Sequence, residues 1–499
     1  MMRTQIRNLA AIAGLICITA SAVADPLTDK LNHILSFTTQ ESGINGVIVE
    51  RLSDKRILYS QNPDLRLMPA SNRKLFTSAA GLELLGDSWR PETDILATSP
   101  VDVQGVIQGD LIVKGGGDST LTVDDYTAIA KQLAEQGVKT VAGDLVGDDT
   151  LFTDGPYGAE WGWDYLSDDY APQISALEVN RGVVTVRVDP GVQPGDPVAV
   201  ALTPSIPFMV VNNSATTTVE APAAKTDPTS TKIIKAVPAA PASVLSDPPD
   251  SLLVKRRWDR NVIDVTGSLP AGKPVKIDIT VADPSKYALT TFASILESSG
   301  ITIGGAVKLA ACPPGASVLL KHQGPAIADY IKLMNKPSDN LLAESLIRLV
   351  GAAHGKGGDY DNGHAVESQF LTGLGVDNSK LTLADGCGVS RRDFVTAKSV
   401  ANLLIAMHAK PDWKVYYESL PIAGVDGTLR KRMKGTLAAG NVHAKTGSLG
   451  AVSCLSGYIT SRTGVVYVFS ILNNNFSCPT NDIRKMQDQV VETLASGLN

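Results

Sequence analysis

Along the chain, an apolar run from Leu9 to Ala20 is followed by segments that switch between strand and helix periods. From Gly46 to Tyr59, the triplets Val47-Ile48-Val49 and Ile57-Leu58-Tyr59 flank polar Ser53-Asp54-Lys55, which predicts a β-hairpin. From Ser71 to Leu85 the positions Leu75, Phe76, Ala79, Leu82 and Leu85 recur at helical spacing, and Gly86 supplies the stop. Pro69-Ala70 leads in, so Ser71 is expected at or beside a helix N-terminus.

Residues from about 90 to 320 have another texture, with short Val-, Ile- and Leu-rich stretches set between Gly and Asp, as in Gly109 to Gly115. They predict a mostly β insertion, within which Ala-, Pro- and Ser-rich Ala221 to Pro249 reads as an exposed connection. Helical spacing resumes at Ile327 to Met334, Asn340 to Leu349, Ala365 to Leu374 and Thr396 to Ala409. Strands then follow at Val442 to Thr446, Val452 to Thr460 and Val465 to Leu472, and a helix from Asn481 to Ala495 closes the chain. The expected fold is α/β (α+β), a sandwich of helices on an antiparallel sheet interrupted by β-rich inserted domains.

The 499 residues, 43% hydrophobic, suffice for two or three packed cores. Arg3 and Arg7, the apolar run and Ala22-Val23-Ala24 have the form of a cleaved secretory signal over residues 1–24, too short for a good membrane span. No later stretch is long and apolar enough to cross a bilayer, so no transmembrane anchor is expected after processing. The formal net charge is −6. The densest basic group, Arg430, Lys431, Arg432 and Lys434, reads as a solvated face, and no nucleic-acid partner is expected. Beyond Cys17 in the leader, Cys312, Cys387, Cys454 and Cys478 permit two disulfides in three pairings. No C-x-x-C or H-E-x-x-H spacing is present, so the protein is read as free of metal and cofactor.

Three short motifs carry chemistry. Ser71-Asn72-Arg73-Lys74 puts a hydroxyl and an amine three apart on a helix, within mutual reach. A serine needs a base, and a desolvated lysine can be one because burial disfavours the ammonium. Ser338-Asp339-Asn340 offers Ser338 as a proton relay and the Asn340 amide as a donor to a substrate carbonyl. In Lys445-Thr446-Gly447, the charge and hydroxyl suit a substrate carboxylate and Gly447 allows close backbone approach. The Ser448 N–H that follows can complete an oxyanion hole. Each motif alone recurs by chance; together they stand in the order that a serine acyl-transfer site requires.

As they stand, these motifs resemble the penicillin-binding protein and serine β-lactamase superfamily. The long chain between Ser71 and Ser338 is similar to that of the low-molecular-mass D-alanyl-D-alanine carboxypeptidase/endopeptidases, whose catalytic domain carries a large insertion. Gly115-Gly116-Gly117-Asp118, Trp161-Gly162-Trp163-Asp164, Tyr170-Ala171-Pro172, Asp385 to Arg391 and Leu455-Ser456-Gly457-Tyr458 agree. The resemblance implies a catalytic domain over 25–89 and 321–499, with 90–320 inserted as two small β-rich domains. It implies Ser71 as nucleophile, Lys74 as proton acceptor, Ser338 and Asn340 as the second pair, and Lys445 and Thr446 as carboxylate binders. Arg391 is implied to meet the peptide side chain, and Asp164 the cationic end of a diaminopimelate; the family often has a second acid where this chain has Tyr165. Cys387 stands where the family usually has Ser, as a structural residue open to a disulfide with Cys312, Cys454 or Cys478.

The activity so implied is hydrolysis of the D-alanyl-D-alanine bond of peptidoglycan peptides, and of the D-alanyl-diaminopimelate cross-link, in the periplasm. β-Lactam antibiotics are expected as covalent inhibitors, and a homodimer is compatible with the chain. Two rival readings are a serine β-lactamase, and a non-catalytic peptidoglycan-binding scaffold that has kept the fold.

Overall fold

In the computed structural model, which describes residues 26–219 and 248–497, the two ends of the chain build one sheet. The expected leader and most of the Ala221 to Pro249 connection lie outside the described residues. Helix α1 (Pro26–Gln40) precedes strands β1 (Ile44–Arg51) and β2 (Arg56–Gln61), the predicted hairpin, in which Val49 faces Tyr59. Helices α2 (Arg73–Leu85) and α3 (Asn340–His354) flank the insertion. Strands β3 (Val442–Leu449), β4 (Val452–Thr460) and β5 (Val466–Asn474) and helix α4 (Thr480–Ala495) end the chain. The sheet is antiparallel throughout, in the order β3-β4-β5-β1-β2.

The two-residue period of a strand sends alternate side chains to opposite faces. Val47, Val49, Leu455, Phe469 and Ile471 meet Leu31 of α1 and Val490 of α4 on one face. Ile48, Tyr458, Val468 and Leu472 meet Phe76 of α2 and Leu346 of α3 on the other. With both faces covered, β1 and β5 hold unbroken apolar runs, Val47–Val49 and Val466–Phe469, and each fully buried large side chain contributes about 1.5–3 kcal/mol.

The helix predicted from Ser71 begins two residues later: Ala70–Asn72 form a 3-10 turn and α2 starts at Arg73. Ala70 has a φ of 46°, in the left-handed region. The backbones of Gly388 and Gly447 press on the turn, since a Cβ at either would fall within 2.5 Å of the Ala70 or Pro69 carbonyl oxygen. The helix predicted from Ala365 starts earlier, at Tyr360, because Asp359 caps it by accepting the Asn362 N–H.

The inserted chain leaves and returns on adjacent antiparallel strands, Glu92–Ala97 and Ser317–Gln323, of a second five-stranded sheet. Smaller sheets lie within residues 183–280, and buried side chains from Ile95 to Ile301 form one cluster. The region is less purely β than its texture predicts, for it holds helices Val123–Glu135 and Pro284–Ser298. In the first, Tyr126, Ile129, Ala130 and Leu133 are buried at helical spacing behind a capping box of Thr122 and Asp125. Among the described residues, no helix is long and apolar enough to cross a membrane.

Candidate active site

Lys74 is fully buried on the first turn of α2, with Nζ 3.1 Å from Ser71 Oγ. Two acceptors face the same nitrogen: Asn340 Oδ1 at 2.5 Å and the Cys387 carbonyl at 2.8 Å. A neutral amine has two N–H bonds and one lone pair, so with both donors committed to these oxygens the lone pair is left for the Ser71 hydroxyl proton. Burial pushes Lys74 below the ordinary lysine value, partly opposed by Cys387, Asp385, Asp339 and Glu344.

Lys445, on β3, is also fully buried and donates to Ser338 Oγ at 2.8 Å and to the Thr446 carbonyl at 2.9 Å. Burial, then the charge of Lys74, pushes its ammonium well below the ordinary value. Ser338 has a φ of 69°; like Ala70 it is a non-glycine residue in the left-handed region, at a cost of about 1–3 kcal/mol each. Asp339 caps α3 by accepting the Leu342 N–H at 2.8 Å, which fixes Asn340 at the first helical position. The Asn340 amide donates to the Tyr170 carbonyl at 2.7 Å.

Gly447 brings β3 against the Ser71 turn: a Cβ there would lie 2.5 Å from the Pro69 oxygen and 3.1 Å from the Ser71 nitrogen. The Ala444 N–H leaves the open edge of β3 for the Pro421 carbonyl, and the two-residue period puts the Ser448 N–H on the same edge. Thr446 Oγ1 lies 2.7 Å from Thr428 Oγ1, and Ser448 Oγ accepts from Arg484 at 3.1 Å.

The three motifs thus converge, whereas the two outlying residues stand apart. Arg391 is exposed, its guanidinium 3.4 Å from the Gly450 carbonyl in the β3–β4 turn. Asp164 sits on the exposed turn Trp163–Tyr165, lining a cavity of about 400 Å³ with Lys255, Arg257 and Trp258.

The disulfide considered for Cys387 is not formed: Cys312, Cys387, Cys454 and Cys478 are all free. The Cys387 sulfur is buried and turned towards Asp385 Oδ2 at 3.4 Å, and burial holds the thiol well above its ordinary value. Its part in the site is played by its carbonyl, which sequence motifs do not reveal because any residue supplies one. Glu344, Asp385 and Cys387 bring ligand atoms within 4.8 Å of one another. Glu344 is already engaged by the Gly386 N–H and Arg348, and Asp385 by several backbone N–H groups, so hydrogen bonds knit this cluster.

The fold is that of the penicillin-binding proteins. Penicillin binding protein 4 (dacB) from Haemophilus influenzae superposes with a TM-score of 0.78 at 27% identity, over 93% of this chain and 99% of that one. Its structure in complex with a novel β-lactam gives 0.72. A D-alanyl-D-alanine carboxypeptidase of Actinomadura sp. is 36% identical over 94% of this chain and 84% of that protein. Residues 27–236 and 228–496 match the D-Ala-D-Ala carboxypeptidase 3 (S13) family, and the chain belongs to it.

Proposed function

We propose that this carboxypeptidase is serine-type, works through an acyl-enzyme on Ser71, and also cleaves the D-alanyl-diaminopimelate cross-link of peptidoglycan. The observation that carries the reading is the buried Lys74 amine, with two carbonyl acceptors for its N–H groups and the Ser71 hydroxyl at 3.1 Å. Lys74 takes the hydroxyl proton as Ser71 Oγ bonds to the D-alanine carbonyl carbon. The backbone N–H groups of Ser71 and Ser448 hold the oxyanion. The C–N bond then breaks, and the leaving amine takes the proton from Lys74 by way of Ser338. Water attacks the ester, frees the peptide and returns the proton to Ser71.

Lys445 and Thr446 receive the terminal carboxylate, whose arrival favours the ammonium form that burial disfavours. Arg391 and Asp164 contact the peptide side chain further out. Both reactions break an amide after D-alanine, so one site serves both. The β-lactam complex of the Haemophilus protein supports a corollary: penicillin acylates Ser71 and stays, because its opened ring keeps the leaving amine tethered. The form of residues 1–24 supports export to the periplasm.

The test is the intact mass of the mature protein after benzylpenicillin, with Ser71→Ala alongside. A persistent one-to-one adduct that the variant loses is the expected result. Hydrolysed drug would instead identify a β-lactamase, and untouched drug with no adduct a binding protein.

A further inference from the structure

The inserted region grips the catalytic helix α3 along its length. Arg181 pairs with Asp339 at 2.9 Å, and the Tyr170 carbonyl holds the Asn340 amide. The Ser119 and Ser345 hydroxyls meet at 2.6 Å, and Asp154 holds Arg348 through bonds of 2.9 and 2.7 Å. Arg348 in turn donates to Glu344, which accepts the Gly386 N–H at 2.7 Å.

A second connection reaches the loop beneath Lys74. Trp161 Nε1 donates to Asp385 Oδ2 at 2.9 Å. The same carboxylate gathers the N–H groups of Cys387, Gly388 and Ser390 at 3.1, 2.6 and 2.7 Å. That folds the loop so that the Cys387 carbonyl meets Lys74 Nζ.

Resting on the acyl-serine reading, we propose that the inserted region is part of the catalytic apparatus. Trp161 is a positioning residue that, through Asp385, holds the Cys387 carbonyl against Lys74, while Tyr170 holds Asn340, the other acceptor of the same amine. Both oxygens that engage the N–H groups of Lys74 are thus held in part from the segment 161–170, which lies outside the catalytic sheet. The insertion and the proton acceptor are thereby coupled: a displacement of this segment misdirects the lone pair that Ser71 needs.

The Trp161 N–H also bears on charge. Facing Asp385 are Asp393, Glu344 on α3, Cys387, Lys74 and Arg73 on α2, and Tyr360. Burial opposes charge on Asp385, but hydrogen bonds from Asp393, Gly388, Ser390 and Trp161 hold its carboxyl below the usual range. Burial, then Asp385 itself, pushes Asp393 well above that range. Removing the indole N–H weakens the anion that anchors the loop and shifts the field at Lys74.

The experiment follows benzylpenicillin acylation against pH in the mature wild type, Trp161→Phe and Trp163→Phe, with melting temperatures. Trp163 is two residues away and 77% exposed, which makes it the control. Trp161→Phe is expected to acylate about tenfold more slowly, the loss of one hydrogen bond to a charged group, with a displaced pH midpoint. Trp163→Phe should match wild type. Benzothienylalanine at position 161, isosteric with indole but lacking the N–H, repeats the test without altered packing. Wild-type rates in both position-161 variants, or an equal loss at every pH, overturn the inference. A wild-type protein that forms no adduct overturns the acyl-serine reading itself, and this inference with it.

Discussion

Lys445 Nζ meets the Ser338 hydroxyl at 2.8 Å, tying strand β3 to the loop ahead of α3 in a setting where both groups are buried. A lysine held below its ordinary value of 10.5 binds fewer protons folded than unfolded. Its cost is fully present below the lowered value, and stability recovers as pH rises from there to 10.5. Lys445→Met removes that cost. Denaturant unfolding at several pH values should show the variant gaining stability relative to wild type in acid, with the gain shrinking through that window. Carboxypeptidase activity should fall about 10²-fold or more.

Lys74 must be neutral to accept a proton, so acylation should rise with pH to a plateau, with its midpoint below the ordinary 10.5 because burial depresses the ammonium. Lys74→Met should lower acylation by about 10²–10⁴-fold and abolish that limb. Stopped-flow acylation against pH checks both; a midpoint at the ordinary value would remove Lys74 from the role.

Gly447→Ala puts a methyl 2.5 Å from the Pro69 oxygen. Relief requires the edge strand or the Ser71 turn to move, at about 1–3 kcal/mol. Acylation should fall at least about tenfold, since that move spreads the two N–H groups assigned to the oxyanion. The melting temperature and acylation rate of one preparation distinguish a shifted site from a lost fold.

Arg73 and Glu367 form a fully buried pair with bonds of 2.6 and 2.7 Å. Burial opposes the Glu367 charge, but Arg73 holds the carboxyl below the usual range. Glu367→Gln leaves the guanidinium uncompensated, and unfolding free energy should drop by about 3–5 kcal/mol. Chemical denaturation measures it, and a change under about 1 kcal/mol would mean that water or another acid reaches Arg73.

Arg391 is exposed and, among the described residues, makes only the long contacts to Gly450, so Arg391→Ala should leave stability within about 0.5 kcal/mol. Its effect should be on the substrate: a higher KM for peptides with a diaminopimelate side chain, with kcat little changed. An equal KM for these peptides and for ones lacking the side chain would exclude the contact.

Much of the catalytic sheet and the convergence of Ser71, Lys74, Ser338, Asn340 and Lys445 were legible because each motif sits at the start of an element or on a strand. Element starts carry local signals such as Pro69 and the Asp339 cap. Other features depend on distant chain. The 3-10 turn at Ala70–Asn72 answers to Gly388 and Gly447, and Cys387 acts through its backbone. Trp161 finds its acceptor 224 positions away. Helix α1 is different: Leu27, Leu31 and Leu35 recur at helical spacing and are buried, a local signal overshadowed by the apolar run from Leu9 to Ala20.

The sheet that seats the nucleophile joins strands from opposite ends of the chain: Asn473 of β5 donates to Asn45 of β1 across 428 positions. Closing so long a loop costs about 5 kcal/mol on the logarithmic law, so β1 has no native neighbour on that side until the final strands emerge. The insertion eases this closure, since its first and last strands are partners and, once paired, take more than two hundred residues out of the loop. During synthesis the hydrolase therefore stays unassembled until its last stretch is made. A chain cut short before residue 442 would have Ser71 and Lys74 but no Lys445 and no edge strand, and so only part of the site proposed for the reaction.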